Sequence, residues 1–149
     1  MSARRHVAAI FAVAFAMLWA PAAGAARKAP SPMVDKINKV RTAHGLPPAR
    51  YSRSLSASSS SFARHLASTQ QFAHDSRIMA SNRFSTLGEI LALTRGWKVR
   101  RVRTLRRWLE SPAHRAVILS PGFDYVGAAR IRGHFAGRPV LFWTVQFGR

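Results

Sequence analysis

The sequence contains no cysteine in its 149 residues and few acidic residues, with five Asp and Glu against 24 Lys and Arg. The absence of cysteine excludes disulfide bonds, a lipid anchor on cysteine and a CxxC redox motif, so the hydrophobic core must stabilise the fold alone. The sequence also lacks HExxH and GxSxG motifs and any zinc-finger, RNP-like or helix-turn-helix signature. We therefore expect no hydrolase of those two motif classes and no specific nucleic-acid binding.

The longest apolar run covers residues 7–19, close to the N-terminus. Arg4 and Arg5 precede the run, and Ala23-Gly24-Ala25 follows it with the small residues of a cleavage site. This pattern predicts a signal peptide over residues 1–25, cleavage after Ala25 and a secreted or periplasmic product. The run is shorter than the roughly 20 residues that cross a bilayer, so we do not expect an integral membrane protein.

The rest of the chain has the length of one domain. Residues 26–31 are basic and contain proline, and we interpret them as a disordered lead to a single domain over residues 32–149, expected to be a monomer. Removal of the leader takes away Arg4 and Arg5 and leaves a net charge of +17. Such a charge attracts polyanions, including anionic lipids and acidic glycans of a cell envelope.

Apolar residues at helical spacing come first in the domain, and alternating apolar residues come last. We expect helices at 32–44, around 55–66, at 99–110 and at 112–120, then strands at 88–93, 124–132 and 140–147, the last two joined through 133–137. Ser31, Ser54 and Ser111 are the predicted N-caps, and residues 75–87 are expected to form a loop with at most one turn of helix. The predicted core face of the third helix consists of Val99, Val102, Leu105 and Leu109. Helices followed by a sheet indicate an α+β fold.

Several short motifs occur in a characteristic order. They are Phe72-Ala73-His74, Gly88-Glu89-Ile90, the stretch from Trp108 through Ser111-Pro112-Ala113-His114-Arg115, and the closing Trp143-Thr144-Val145-Gln146-Phe147-Gly148. In this order they resemble the CAP superfamily of cysteine-rich secretory proteins, antigen-five allergens and plant pathogenesis-related proteins, and Ser-Pro-x-His-Arg is typical of its bacterial branch. The resemblance implies an α-β-α sandwich, with about four helices around a small antiparallel sheet.

The resemblance also implies a central cleft lined by His74, Glu89 and His114. The family's second acid falls at Ser111 here, and Glu110 stands one residue earlier, about 100° away around a helix. Two imidazoles and a carboxylate are suitable ligands for a divalent cation such as zinc. A divalent cation is therefore the one cofactor that the sequence suggests. Alternatively, Glu89 orients an imidazole that acts as a base, or the three side chains form a hydrogen-bonded network without catalysis. As a helix cap, Ser111 would be a poor nucleophile.

The basic residues around the third helix form a second candidate site, for polyanions. They are Lys98, Arg100, Arg101, Arg103, Arg106 and Arg107. We expect the protein to bind a lipid-like or anionic component of the envelope, since relatives bind sterols and other lipids, and we favour binding over catalysis. The alternatives are an envelope hydrolase or peptidase that uses the cleft, and an interaction protein whose cleft is vestigial.

Overall fold

The computed structural model describes residues 31–74 and 81–149. The predicted signal peptide, its cleavage site and all but the last residue of the predicted lead lie outside the described residues. The helices are α1 (Pro32–Ala43), α2 (Arg53–Thr69), α3 (Arg101–Glu110) and α4 (Pro112–Ile118), and a 3₁₀ turn covers Ser81–Arg83. The strands are β1 (Arg50–Tyr51), β2 (Leu87–Arg95), β3 (Tyr125–Phe135) and β4 (Arg138–Gly148). Within the described ranges, no helix is long and apolar enough to span a bilayer.

The four strands form one sheet in the order β1-β3-β4-β2. The three long strands pair antiparallel, as predicted, and the two-residue β1 adds a parallel pair with β3 at one edge. Strand β4 lies in the centre, and its residues from Val140 to Gly148 are buried. Strand β2 lies at the opposite edge from β1, which leaves its outer side available to the helices and loops around it.

The sheet separates two helical layers, so the predicted α-β-α sandwich is confirmed. Alternate residues of β4 point to opposite faces. Trp143 and Val145 pack with α1, α3 and α4, whereas Val140 and Phe142 pack with α2. The two hydrophobic clusters therefore lie on opposite sides of one central strand.

Helix α2 approaches β3 very closely at Gly127. A Cβ atom on Gly127 would lie 2.2 Å from the Ser56 nitrogen and 2.3 Å from the Leu55 carbonyl carbon, so only glycine fits. The Ser59 hydroxyl donates to the Gly127 carbonyl at 3.4 Å, and the Ala128 N–H donates to the Ser56 hydroxyl at 3.3 Å. The run of serines in α2 is helical, as predicted. Its small side chains permit the close approach of α2 to β3.

The β3–β4 hairpin is longer than its predicted strands, because its turn consists of Ala136 and Gly137 alone. Both residues have positive φ, +49° and +70°. Two central residues of positive φ form the type I′ turn that matches the twist of two-residue hairpins. The sequence Ala-Gly does not predict this turn, since Asn or Asp is usual at the position of Ala136.

Helix α3 differs from the prediction in its start and in the exposure of Val102. It begins at Arg101 and not at Val99, and Val102 is 66% exposed, so the assignment of Val102 to the core was wrong. The buried residues are Thr104, Leu105 and Trp108. The Trp108 indole N–H donates to the Leu91 carbonyl of edge strand β2 at 2.7 Å. Val99 and Leu109 are partly buried and pack against the core, as predicted, so Val102 alone of the predicted stripe faces solvent.

Among the residues that the structure describes, none of the three predicted N-caps accepts a capping hydrogen bond through its side chain, and Ser31 only occupies the N-cap position of α1. The hydroxyl of Ser52, and not that of Ser54, accepts the Leu55 N–H at 3.2 Å and caps α2, and the Ser54 hydroxyl bonds to Ser52 instead. Ser111 stands at the N-cap position of α4 with Pro112 next to it, but its side chain makes no capping hydrogen bond. Ser111 caps this helix only through its carbonyl, which accepts the Arg115 N–H at 2.9 Å.

Arg41 of α1 is a buried residue that sequence patterns did not single out, with 1% of its surface exposed. Its Nε donates to the Pro47 carbonyl, its Nη1 to the Ile118 and Ser120 carbonyls, and its Nη2 to the Phe123 carbonyl, at 2.9–3.1 Å. Burial lowers the pKa of the Arg41 guanidinium, and the charge of Asp124 partly opposes this effect. One side chain thus joins the loop after α1, the end of α4 and the segment before β3.

Candidate functional site

The predicted site residues lie around edge strand β2. Glu89 pairs with Gln146 of β4 in the sheet register, and both side chains lie on the face of the sheet that carries α2. Helix α4, which carries His114, packs on the other face, where Val117 lies beside Gly88. His74 follows the end of α2. The site therefore forms where the two helical layers meet at the sheet edge.

Glu89 is the centre of a hydrogen-bonded group. His74 Nδ1 lies 3.0 Å from Glu89 Oε1, and Gln146 Nε2 donates to Glu89 Oε2 at 2.8 Å. The Glu89 side chain is 6% exposed, whereas that of His74 is 56% exposed. A buried carboxylate with donors on both oxygens holds its partners in fixed orientations. We call these three residues the His–Glu cluster.

His114 is the third predicted site residue and lies on α4, close enough to His74 to be affected by its charge. Its Nδ1 is buried and has no hydrogen-bond partner within the described ranges. Burial lowers the pKa of His114 below its ordinary value, and the nearby charge of His74 lowers it further. Burial and a like charge both disfavour the imidazolium, so folding favours the neutral form of His114.

The arrangement does not fit the three-ligand cation site that the sequence suggested. In residues 31–74 and 81–149, no group of three His, Asp or Glu side chains is placed so that it could hold a metal ion. Both oxygens of Glu89 already accept hydrogen bonds, from His74 and Gln146, and a cation would have to displace them. The geometry of the described residues favours a hydrogen-bonded network over metal ligation.

The two residues near the family's missing acid do not complete the site. Glu110 is exposed, and its carboxylate lies 3.5 Å from Arg106 Nε, one turn earlier on α3. No hydrogen bond connects Ser111 with His114 in the described part of the chain, although the Ser111 hydroxyl is not engaged as a cap. A serine nucleophile needs a base within hydrogen-bond reach, and this pair does not provide one.

Gln146 is a member of the site that sequence reasoning missed. It is 1% exposed and lies in a strand whose neighbours Val145 and Phe147 are fully buried. A polar residue in such an apolar strand must find a partner, because an unpaired amide is costly to bury. The signal was present in the sequence, but the partner follows only from the β2–β4 register.

The predicted polyanion-binding residues form a second group on and before α3. Of the six, five are exposed and Arg101 is half-buried. Only Arg106 is paired with an acidic side chain among the described residues. Burial lowers the pKa of Arg130, and the nearby charges of Arg101 and Arg132 lower it further. This side of the protein is therefore a region of positive potential with few counter-charges.

The comparisons with known proteins agree with the fold. Residues 34–147 match the family model for CAP, the cysteine-rich secretory protein family. No curated protein matches the chain in sequence. Solved structures that it resembles include an outer surface protein of Borrelia burgdorferi, with 20% identity over 78% of this chain and 89% of that one, and a TM-score of 0.65.

Two longer bacterial proteins contain a similar domain. An extracellular protein with an SCP domain from Bacillus anthracis shares 24% identity over 78% of this chain and 39% of its own, with a TM-score of 0.60. A cysteine-rich secretory protein from Staphylococcus aureus shares 16% identity over 78% of this chain and 36% of its own, with a TM-score of 0.57. The chain thus corresponds to little more than a third of each of these two proteins.

Together, the sandwich, the ordered motifs and the family match define an α-β-α domain of the secretory-protein type. The chain belongs to the CAP family.

Proposed function

We propose that this CAP-domain protein is exported and binds anionic components of the cell envelope through the basic residues of α3 and of the segment before it. The observation that carries the proposal is the set of exposed arginines without acidic partners, among them Arg100, Arg103 and Arg107. Each basic residue near an anionic lipid surface contributes about 1 kcal/mol of attraction. Several of them on one side of a small domain are sufficient for attachment without a deep ligand cleft.

Two observations support export. Residues 1–25 combine a basic start, an apolar run and small residues before the expected cleavage after Ala25. Two of the similar structures are described as an outer surface protein and as an extracellular protein. The envelope offers anionic lipids and glycans at the place where such a product would arrive.

The His–Glu cluster has a supporting role in this proposal. Glu89 joins His74 and Gln146 through its two carboxylate oxygens and holds the segment after α2 against the sheet edge. The proposal therefore separates the two groups of residues: the arginines bind the envelope, and the His–Glu cluster orders its own neighbourhood.

The test is an equilibrium binding measurement with mixed phosphatidylcholine and phosphatidylglycerol vesicles at low salt. We expect the triple variant Arg100→Gln/Arg103→Gln/Arg107→Gln to bind about a hundredfold more weakly, since three charges contribute about 3 kcal/mol in total. His74→Ala is the control and should bind like the native protein. Circular dichroism verifies the fold of each variant. Unchanged binding by the triple variant, or loss of binding in His74→Ala, contradicts the proposal.

A hydrolase is the second candidate, and one observation favours it. The Glu89 carboxylate orients the exposed His74 imidazole at 3.0 Å, which is the arrangement of a base and its orienting acid. His74→Ala and Glu89→Gln would then both abolish hydrolysis of a lipid ester or peptide by the purified protein. Activity that survives both substitutions, or no activity in the native protein, removes this candidate.

A further inference from the structure

A cavity of about 960 Å³ lies between α3, the end of β2 and the tip of the β3–β4 hairpin. Twelve residues line it, and the basic ones among them are Arg95, Lys98, Arg100, Arg103, Arg107 and Arg138. None of His74, Glu89 and Gln146 lines the cavity, which is therefore separate from the His–Glu cluster. Its volume lies near the upper end of the range for small-molecule sites, roughly 300–1,000 Å³.

Six of the twelve lining residues are basic and none is acidic. None of the six is paired with an acidic side chain in the described ranges. They come from three separate segments, so the fold collects like charges around one space at a cost in mutual repulsion. An anionic ligand in the cavity removes that cost. Five of the six are arginines, whose planar guanidinium groups bind phosphate oxygens in pairs.

The side of α3 that faces the cavity is defined by helical spacing. Arg100, Arg103, Thr104 and Arg107 recur at intervals of three and four residues and share one side of the helix. Arg101 and Arg106 do not line the cavity, although they belong to the same helix. Arg53 and Arg64 of α2 are exposed and likewise do not line the cavity, so they match the charge of Arg103 and Arg107 outside it.

The cavity is too large for a single phosphate ion, and its basic residues surround it from several directions. Arg138 comes from the hairpin, and Arg95 from the end of β2. Leu93, Phe135 and Val140 add apolar surface to the wall. A compact, partly apolar ring with a phosphate group on each of two sides matches this distribution of charge and apolar surface.

We propose that this cavity binds a sugar ring that carries at least two phosphate groups, either as the headgroup of a glycolipid or as a free sugar bisphosphate. The inference rests on the proposed function, because it assigns the binding of anionic envelope components to one cavity. It goes beyond general attraction, because it requires cavity-lining arginines in preference to others of equal charge.

The experiment is titration calorimetry at physiological salt with two ligand pairs. The soluble pair is glucose 1,6-bisphosphate and glucose 6-phosphate. The lipid pair is phosphatidylcholine vesicles with diphosphoryl or monophosphoryl lipid A. We expect the diphosphorylated member of at least one pair to bind at least tenfold more tightly than the monophosphorylated member. Binding of glucose 1,6-bisphosphate identifies the sugar bisphosphate as sufficient, and binding to the vesicles alone identifies a glycolipid headgroup.

Two double variants test the position of the charges. Arg103→Gln/Arg107→Gln should weaken binding of the diphosphorylated ligand about a hundredfold, whereas Arg53→Gln/Arg64→Gln, which removes the same charge from α2, should weaken it less than about threefold. Arg138→Gln on the hairpin should weaken it about tenfold, with Arg64→Gln on α2 as its matched control.

The outcomes separate this inference from the proposed function. If both double variants lose the same affinity, charge alone attracts the ligand, and the inference is wrong while the proposed function stands. If the native protein binds neither diphosphorylated ligand, the inference is also wrong. If the native protein fails to bind phosphatidylglycerol vesicles at low salt, the proposed function fails first.

Discussion

Replacement of Arg41 by methionine tests how much one buried arginine stabilises this disulfide-free domain. Arg41 donates to four carbonyls, of which those of Ile118 and Phe123 are in buried hydrogen bonds and those of Pro47 and Ser120 in partly buried ones. Methionine has a similar length and fills much of the same space, so the substitution removes the donors more than the packing. The loss of stability therefore reports on the four hydrogen bonds.

The expected loss of stability in Arg41→Met depends on whether water can replace each hydrogen bond that Arg41 makes. Water can reach the Pro47 and Ser120 carbonyls, but the Ile118 and Phe123 carbonyls stay buried and unpaired, at about 1–3 kcal/mol each. Removal of the charge recovers part of the burial cost that lowers the pKa of Arg41. We expect a net loss of about 4 kcal/mol, a large part of the roughly 5–15 kcal/mol that stabilises a typical domain. Arg41→Lys should lose about half as much, since an ammonium reaches fewer of these carbonyls.

Urea unfolding followed by tryptophan fluorescence measures the free energy of unfolding for each variant. Arg53→Met is the matched control, because Arg53 is exposed on α2 and makes none of these contacts. The control should change the free energy by less than about 0.5 kcal/mol. A loss below about 1 kcal/mol for Arg41→Met, or a loss equal to that of the control, would refute this account of Arg41.

Three further predictions concern packing, the hairpin and pH. Gly127→Ala should cost at least about 3 kcal/mol in urea unfolding, because the new Cβ would overlap Leu55 and Ser56 of α2; a near-native midpoint would contradict this close contact. Ala136→Asn should raise the free energy of unfolding by about 1 kcal/mol, since asparagine tolerates the positive φ of this turn better than alanine does; a loss of stability would contradict the turn assignment. Because the pKa of His114 is lowered in the folded protein, the unfolded chain takes up this proton more readily, and stability should fall as pH decreases below 6.5. His114→Gln should flatten that part of the pH dependence in urea unfolding, and an unchanged slope would contradict the assignment.

Much of the fold could be predicted because the apolar periodicity and the order of motifs agree. The four helices, the three long strands and the two helical layers follow from them. The start of α3 and the exposure of Val102 could not be predicted, because they depend on how the helix packs against β2 through Trp108. The two-residue turn at Ala136 was not predicted, because alanine rarely adopts the positive φ that this turn requires.

For the site, the motifs pointed to His74 and Glu89, and the structure places them in contact at 3.0 Å. The role of Gln146 could not be predicted, because it depends on which residue the sheet register places opposite Glu89. The cavity beside α3 could not be predicted either, because its lining residues are brought together only by the fold. Arg138 and Arg95 are distant in sequence from Arg103 and line the cavity together with it only after folding.

The central claim is that charge attaches this protein to anionic envelope components. The most direct measurement is the dissociation constant for phosphatidylglycerol-containing vesicles across a series of salt concentrations. The screening length falls from about 10 Å at 0.1 M salt to about 3 Å at 1 M, so exposed arginines lose most of their reach over that range. We predict that binding weakens steeply and continuously as salt rises, whereas binding that stays constant across the series would contradict the claim.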